Sequence, residues 1–351
     1  MKFFENPAYK KDLIKAIEST LGIDRLKKKR VMLTGATGLI GSFLVDMLVL
    51  YNQQHNSEIE IYALGRSADR LKVRFGETEK PSLHYVEHDV NHEIAFDFPV
   101  DYLIHAASNA YPAVFHSDPV GTLMSNVMGT KRLLDYARQQ STKRFLFVSS
   151  GEVYGQGDAA TDSYSEEYSG YIDPLQPRAC YPVSKRAAET LCVSYTKQYG
   201  LDTVIVRPCH TYGPNATSED NRANVQFVNN ALNGEDIVLN SAGQQLRSYC
   251  YVADCASAIL SVLINGKTAE AYNIANPASK VTIAEFAAIV AAQQGKKVLF
   301  LNPDAKALEE RTPIQKQVLC TKKLEDLGWT GRYSVEKGVE QIFKILKYTG
   351  T

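Results

Sequence analysis

The run Thr34-Gly35-Ala36-Thr37-Gly38-Leu39-Ile40-Gly41 constrains this chain more than any other stretch of its 351 residues. Apolar Val31–Leu33 precedes it as a short strand, and Leu39–Leu50 follows with the apolar density of a helix. Glycines at a strand-to-helix turn let the backbone come close to a pyrophosphate. The helix start then supplies unpaired N–H groups and the positive end of its dipole. Gly35, Thr37, Gly38, Leu39, Ile40 and Gly41 are therefore the first candidate ligand-binding residues. A turn of this kind belongs at the start of a βαβ series.

That series is legible downstream. Ile59–Leu64, Leu83–Glu87, Tyr102–Ala106, Arg144–Ser149 and Thr203–Arg207 read as strands, and Pro119–Gln139 and Tyr181–Tyr199 as long helices. The alternation predicts an α/β fold with a doubly wound parallel sheet. Continuous apolar strands such as Phe145-Leu146-Phe147-Val148 fit a sheet covered on both faces. After Gly213-Pro214 the rhythm loosens. An amphipathic segment at 224–233, a strand at Ile237–Leu239 and helices at 254–264, 282–294 and 334–347 follow. The expected organisation is a helical extension over 1–30, a dinucleotide-binding domain over 31–213 and a smaller mixed α/β lobe over 214–351, with a cleft between the lobes.

Charge narrows the function classes. Lys and Arg total 39 against 39 Asp and Glu, without the basic excess or stripe of a nucleic-acid binder. No stretch approaches the roughly 20 apolar residues of a membrane span. The six cysteines form neither a Cys-x-x-Cys pair nor a zinc-like spacing with histidine. A soluble, cytoplasmic protein without a metal is expected.

Tyr181-Pro182-Val183-Ser184-Lys185 is the second motif. Positions i and i+4 share one helix face. A Lys185 ammonium near Tyr181, with a positive nicotinamide, would lower the phenol from its usual value of about 10. Tyr181 could then take a hydroxyl proton as a hydride leaves. Ser150, at the end of the fifth strand in Phe147-Val148-Ser149-Ser150-Gly151-Glu152, offers a hydroxyl to the same oxygen.

The Gly-x-x-Gly-x-x-Gly spacing, the Ser150 strand end and the Tyr181/Lys185 pair together resemble the short-chain dehydrogenase/reductase superfamily. Arg178-Ala179-Cys180-Tyr181, Lys185–Leu191, Asn126–Thr130 and Gly243–Asp254 resemble its extended branch, the NAD-dependent epimerase/dehydratase family, and within it the UDP-glucuronate decarboxylases. The resemblance implies a Rossmann-type domain with a smaller substrate-binding lobe. It implies a nucleotide sugar as substrate, with UDP as its most frequent carrier, and a dimer through helices 119–139 and 181–199. Asp89 and Val90 would meet the adenine, and Ala106, Ala107 and Ser108 would line the cofactor. Lys185 would hold the nicotinamide ribose. Arg247 and Arg311 would reach the substrate diphosphate or a sugar carboxylate, and Arg222 and Asn224 would line the nucleotide.

The cofactor is NAD or NADP. The second strand ends Gly65-Arg66-Ser67 without the acid that would hold a ribose 2′-hydroxyl, and Arg66 and Arg70 are available for a 2′-phosphate. The resemblance leans the other way, to NAD. Glu152 sits where decarboxylases and 4,6-dehydratases of this branch carry Glu and simple 4-epimerases do not. Gly151 departs from the Asp of the dehydratases and the usual Ser of the decarboxylases. His210 stands in place of an Asn; it either bonds substrate, titrating near neutral pH, or is a satisfied buried histidine. The leading expectation is C4 oxidation of a nucleotide sugar followed by decarboxylation. A 4-epimerase, a 4,6-dehydratase and an NADPH-dependent keto-sugar reductase are the enzymatic alternatives, and a non-catalytic scaffold on the same fold is the last.

Overall fold

Asn6 starts the first helix, α1 (Pro7–Ser19), by accepting the Ala8 and Tyr9 N–H groups on its side chain. β1 (Arg30–Thr34), α2 (Leu39–His55), β2 (Glu60–Gly65), α3 (Ala68–Phe75), β3 (Leu83–Glu87) and β4 (Tyr102–His105) follow. Then come α4 (Pro112–Ser117), α5 (Pro119–Gln139), β5 (Arg144–Val148), α6 (Cys180–Tyr199) and β6 (Thr203–Pro208). The computed structural model describes residues 3–77, 82–108, 110–158, 160–301 and 314–348.

Val31, Met32 and Leu33 are fully buried, as are Phe145, Leu146 and Phe147, because helices cover both faces of their sheet. β1 pairs in parallel with β2 on one side, Leu33 opposite Ala63, and with β4 on the other, Leu33 opposite Ile104. The order of strands therefore reverses between β1 and β4. In open α/β sheets a ligand crevice forms outside the strand ends at such a reversal. Helix signals are local and clear here. Asp118 accepts the Gly121 N–H ahead of α5, with Pro119 in the first turn, and α6 ends on left-handed Gly200.

The chain continues with β7 (His210–Tyr212), α7 (Ala223–Leu232), β8 (Ile237–Leu239), β9 (Leu246–Tyr251), α8 (Val252–Asn265), β10 (Ala271–Ile274), β11 (Lys280–Thr282), α9 (Ile283–Ala292), β12 (Val298–Phe300) and β13 (Lys316–Gln317). β10 returns to the large sheet, which reads β10-β6-β5-β4-β1-β2-β3, all parallel. The expected boundary at residue 213 is thus crossed by the chain, because the apolar helix α8, buried over Val252–Ile264, needs the large sheet to cover it. β9 pairs with β7, β11 and β13, and β8 pairs with β12. The N-terminal extension is also tied in: Asp12 of α1 accepts the hydroxyls of Tyr251 and Tyr333 at 2.7 and 2.6 Å. Residues read as one helix over 334–347 form Val335–Tyr348. Among the described residues no helix is long and apolar enough to cross a membrane.

Gly35 holds φ +70°, and a Cβ there would lie 2.8 Å from Ala106 C and O and Ala107 N. Gly35→Ala combines left-handed strain of about 1–2 kcal/mol with this backbone clash. It is expected to lower the thermal midpoint by several degrees in calorimetry, and to weaken dinucleotide binding in the same preparation.

Candidate active site

Two adjoining cavities lie at the β1/β4 reversal. The smaller, about 170 Å³, brings together Gly35, Thr37, Gly38, Arg66, Asp89, Val90, Ala106, Ala107 and Ser108. No side chain caps α2, whose N-cap is Gly38, so its first-turn N–H groups are left without a side-chain acceptor and could donate to an anion. A Cβ on Gly41 would sit 2.2 Å from the Gly35 carbonyl oxygen, so the turn closes only on glycine. Beneath it, Thr34 Oγ1 lies 2.8 Å from His105 Nδ1 and accepts the Ala107 N–H, and His105 Nε2 lies 3.1 Å from Thr130 Oγ1. Burial, helped by Lys185, pushes His105 down to about 3, so this linkage stays neutral. These residues form a cradle that fits a dinucleotide.

The larger cleft, about 380 Å³, shares Gly35, Gly38, Ala106 and Ser108 with the first and adds Leu39, Ile40, Gly41, Ser150, Glu152, Tyr181, Lys185, His210, Arg222, Asn224 and Arg247. Tyr181 and Lys185 come from the first turns of α6. The Lys185 ammonium is buried and donates to the Val148 carbonyl at 2.9 Å. Ser150 Oγ accepts the Glu152 N–H at 3.1 Å, which leaves its own proton for another acceptor. A third link runs from Ser108 Oγ to Asn126, and from Asn126 Nδ2 to Ser184 Oγ on α6.

The protein's own groups, without the nicotinamide charge, do not ionise this pair. The phenol of Tyr181 is pushed up to about 12, first by burial and then by the Glu152 carboxylate, while Ser150 works the other way. Burial pulls Lys185 down to about 7, with Glu189 opposing. A buried ammonium loses more hydration than its neighbours return. The protein's own groups therefore hold Tyr181 neutral and Lys185 near its midpoint.

Two residues line the site beyond those expected from the sequence: Arg178, quoted there only as part of a motif, and Phe115, not singled out at all. Arg178 Nη2 donates to both oxygens of Glu152, at 2.9 and 3.1 Å, and its guanidinium lies 4.7 Å from the Phe115 ring centroid. Phe115 in turn stacks on Tyr181 at 4.7 Å. Arg178 precedes Tyr181 by three residues, which was the available signal; Phe115, on α4, had none. Arg222 is bonded to Asp220 and the Thr211 carbonyl, so its charge is compensated within the protein. Arg247 is buried and bonded only to the carbonyls of Leu246, Ile314 and Gln315, with no salt bridge among the described residues. His210 has a buried Nδ1 without a hydrogen-bond partner among the described residues. It is pushed down to about 3, by burial first and then by Arg247 and Arg222, which removes the expected titration near neutral pH. Arg311 lies outside the described residues. Among the described residues no group of three His, Cys, Asp or Glu side chains could hold a metal.

A parallel sheet with this cradle and a Tyr/Lys pair beside it defines a dinucleotide-dependent enzyme class. Residues 31–275 match the model of the NAD dependent epimerase/dehydratase family. UDP-glucuronic acid decarboxylase 6 of Arabidopsis thaliana is 33% identical over 312 residues, 88% of this chain and 86% of the relative. UDP-glucuronic acid decarboxylase 1 of Xenopus tropicalis is 30% identical over 90% of this chain and 71% of its own. Among solved structures, a dTDP-glucose 4,6-dehydratase of Streptomyces venezuelae with NAD bound superposes with a TM-score of 0.77 at 25% identity, covering 92% of this chain and 98% of that one. A UDP-glucose 4-epimerase of Thermotoga maritima shares the fold at TM-score 0.77 and 21% identity, over 92% and 100% of the chains. The chain belongs to the NAD-dependent epimerase/dehydratase family.

Lys185 gives a pH signature. Its folded pKa of about 7 lies below its ordinary value of 10.5, so between these values the unfolded chain binds the extra proton and stability rises with pH. Lys185→Met should flatten that rise and be the more stable protein at pH 7, as urea unfolding at pH 7 and pH 9 would measure. Equal slopes in both proteins would contradict the buried, weakly basic ammonium.

Proposed function

We propose that this enzyme oxidises C4 of a UDP-linked uronic acid and decarboxylates it, as the names of its curated relatives suggest. The observation that carries the reading is Arg247. A buried guanidinium without a carboxylate partner is costly unless a ligand anion completes it, and a planar fork meets a carboxylate or diphosphate with two hydrogen bonds. Glu152 lies close enough to Arg247 to be felt electrostatically, so the anion would bind between the catalytic pair and the Glu152–Arg178 couple.

Gly35–Gly41 would hold NAD, which would supply a hydride acceptor when bound. Tyr181 would take the C4 hydroxyl proton, the Ser150 hydroxyl would bond the same oxygen, and Lys185 would hold the nicotinamide ribose. The resulting 4-ketone lies β to the C5 carboxylate. The C5–C6 bond breaks, carbon dioxide leaves, and the electron pair passes into the C4–C5 enolate. The enolate then takes up a proton at C5 from solvent, which Glu152, oriented by Arg178, would relay. Tyr181 would give its proton back to the C4 oxygen as the ketone is reduced, so the overall reaction would be redox-neutral.

Gly151 lacks the acid by which a 4,6-dehydratase would expel the 6-hydroxyl, and equally the Ser usual in decarboxylases, although loss of carbon dioxide needs no such acid. A Cβ there would lie 3.3 Å from Leu319 Cδ1 and 3.4 Å from the Pro208 carbonyl, so the place holds neither an acid nor space for one without movement. The carboxylates lining the large cleft among the described residues are Glu152 and Asp220, and Asp220 is committed to Arg222. A 4-epimerase would use Ser150, Tyr181 and Lys185 and leave the Glu152–Arg178 couple without a role. A net keto-sugar reductase would consume NADPH with turnover.

Incubation with UDP-glucuronate followed by mass spectrometry should show loss of carbon dioxide and a UDP-pentose. An unchanged nucleotide sugar would refute the decarboxylase reading. Tyr181→Phe should abolish turnover, and Arg247→Ala should lower kcat/KM by about 100-fold, the worth of a lost charge-assisted pair.

We also propose a homodimer through α5 and α6, which pack side by side and leave Val120, Leu123, Met124 and Val193 exposed. Sedimentation should give twice the chain mass, and Val120→Asp should shift it towards the monomer. The six unpaired cysteines fit a reducing, cytoplasmic setting.

A further inference from the structure

The adenosine end of the small cavity contains an ion pair that no single stretch of sequence announces. Arg70, on α3 just after β2, meets Glu219, from the segment between β7 and α7, 149 positions later. Arg70 Nη2 and Glu219 Oε1 are 2.5 Å apart, and Arg70 Nη1 donates to Glu219 Oε2 at 3.4 Å. Both residues line the cavity that also contains Gly65, Arg66 and Asp89. The segment bearing Glu219 is anchored at both ends. Asn215 Nδ2 donates to the Leu39 carbonyl and Ser42 Oγ at 2.7 and 2.8 Å, and Arg222 is held by Asp220 and the Thr211 carbonyl. Glu219 is thereby brought to the end of β2, where this chain has arginine and serine rather than an acid.

We propose that Glu219 is the residue that selects the cofactor's adenosine ribose, standing in from across the groove for the acid missing from the end of β2, and that its pair with Arg70 latches the adenosine end of the site. The inference rests on the family's dinucleotide assignment, not on which sugar is processed. Its physical basis is occupancy of the guanidinium fork. A 2′-phosphate needs Arg66 and Arg70 free to donate, but Arg70 already gives both terminal nitrogens to a carboxylate, and Arg66 is near enough to act on that same carboxylate. A phosphate carrying nearly two negative charges would have to displace Glu219 and then remain beside it. A ribose 2′-hydroxyl instead gains an acceptor. Arg70, and to a lesser degree Arg66, holds Glu219 below the ordinary carboxylate range, so it stays ionised at neutral pH. As a fold-stabilising contact the pair contributes little, because both side chains are about half exposed. Its consequence is at the ligand.

The test is binding, without sugar. NADH and NADPH are titrated by fluorescence into the purified protein after its resident dinucleotide has been released and identified. The wild type is expected to bind NADH at least about tenfold tighter than NADPH, and Glu219→Gln to erase that preference mainly by tightening NADPH, a change of the size of one hydrogen bond to a charged group. Arg70→Ala in the Glu219→Gln background should remove the gain. Glu219 is exposed enough that its variants should melt with the wild type. A preference unchanged in Glu219→Gln and Glu219→Ala, a wild type that prefers NADPH, or no binding of either dinucleotide would each overturn the proposal. A preference that is absent, reversed or unmoved by the variants leaves the decarboxylase reading standing, failure of that reading on UDP-glucuronate leaves this one standing, and only the loss of all dinucleotide binding would overturn both.

Discussion

The architecture depends on one close backbone approach. β1 must turn into α2 while touching the end of β4, and at Gly35 there is no space for even one methyl group against Ala106 and Ala107. A second contact of the same kind, Gly41 on the Gly35 carbonyl, starts α2 so that its unpaired N–H groups look into the crevice. The Thr34–His105–Thr130 linkage fixes the strands and α5 beneath that turn without introducing a charge. A larger side chain at either glycine would separate β1 from β4 or tilt α2. The floor of both cavities would then be lost.

The catalytic helix is placed by a different device. Glu189, one turn beyond Lys185 on α6, forms two bonds with Arg207 of β6, at 2.9 and 2.6 Å, and Arg207 also donates to the Tyr154 hydroxyl and the Glu166 carbonyl. That arginine spends its fork inside the protein. Arg222 does the same on Asp220. Arg247 alone of these three meets only carbonyls, so two of the arginines are neutralised by carboxylates within the protein and one, among the described residues, is not. The sorting follows from hydrogen-bond counting, since a guanidinium stays charged whatever surrounds it.

What could be read from the sequence divides along the same line. The β1 turn, α5 and α6 were legible because a strand end, a cap or a helical run lies within a few residues of itself; the long helix read over Pro119–Gln139 has those bounds in the structure. Short elements such as α3 and α4 carried too few turns to show a period. The return of β10 to the large sheet was hidden because four residues, Ala271–Ile274, hold no register information until β6 is beside them. Candidate site residues were found wherever a motif carried them, but their states were not. Whether Glu152 has a partner, or Arg70 is free, is decided by residues 26 and 149 positions away. The burial of Tyr181 and Lys185 was hidden for the same reason. Spacing places two groups on one helix face but says nothing of how dry that face is.

That dryness changes how the resting site should be understood. An ionised Tyr181 beside a charged Lys185 would place two charges in a pocket that solvates neither, next to a Glu152 carboxylate that opposes the phenolate. The protein instead holds the phenol protonated and the amine near its midpoint, and pairs Glu152 with Arg178 so that the remaining charge is balanced within the cleft. Proton abstraction from a sugar hydroxyl then requires positive charge at the moment of reaction. In this family that charge comes with the oxidised nicotinamide and disappears on hydride transfer. The basicity of Tyr181 would thus rise and fall with the redox state of the cofactor, and a site reset by returning hydride would also return the proton. Such coupling suits a redox-neutral cycle, in which the hydride and the proton would return together.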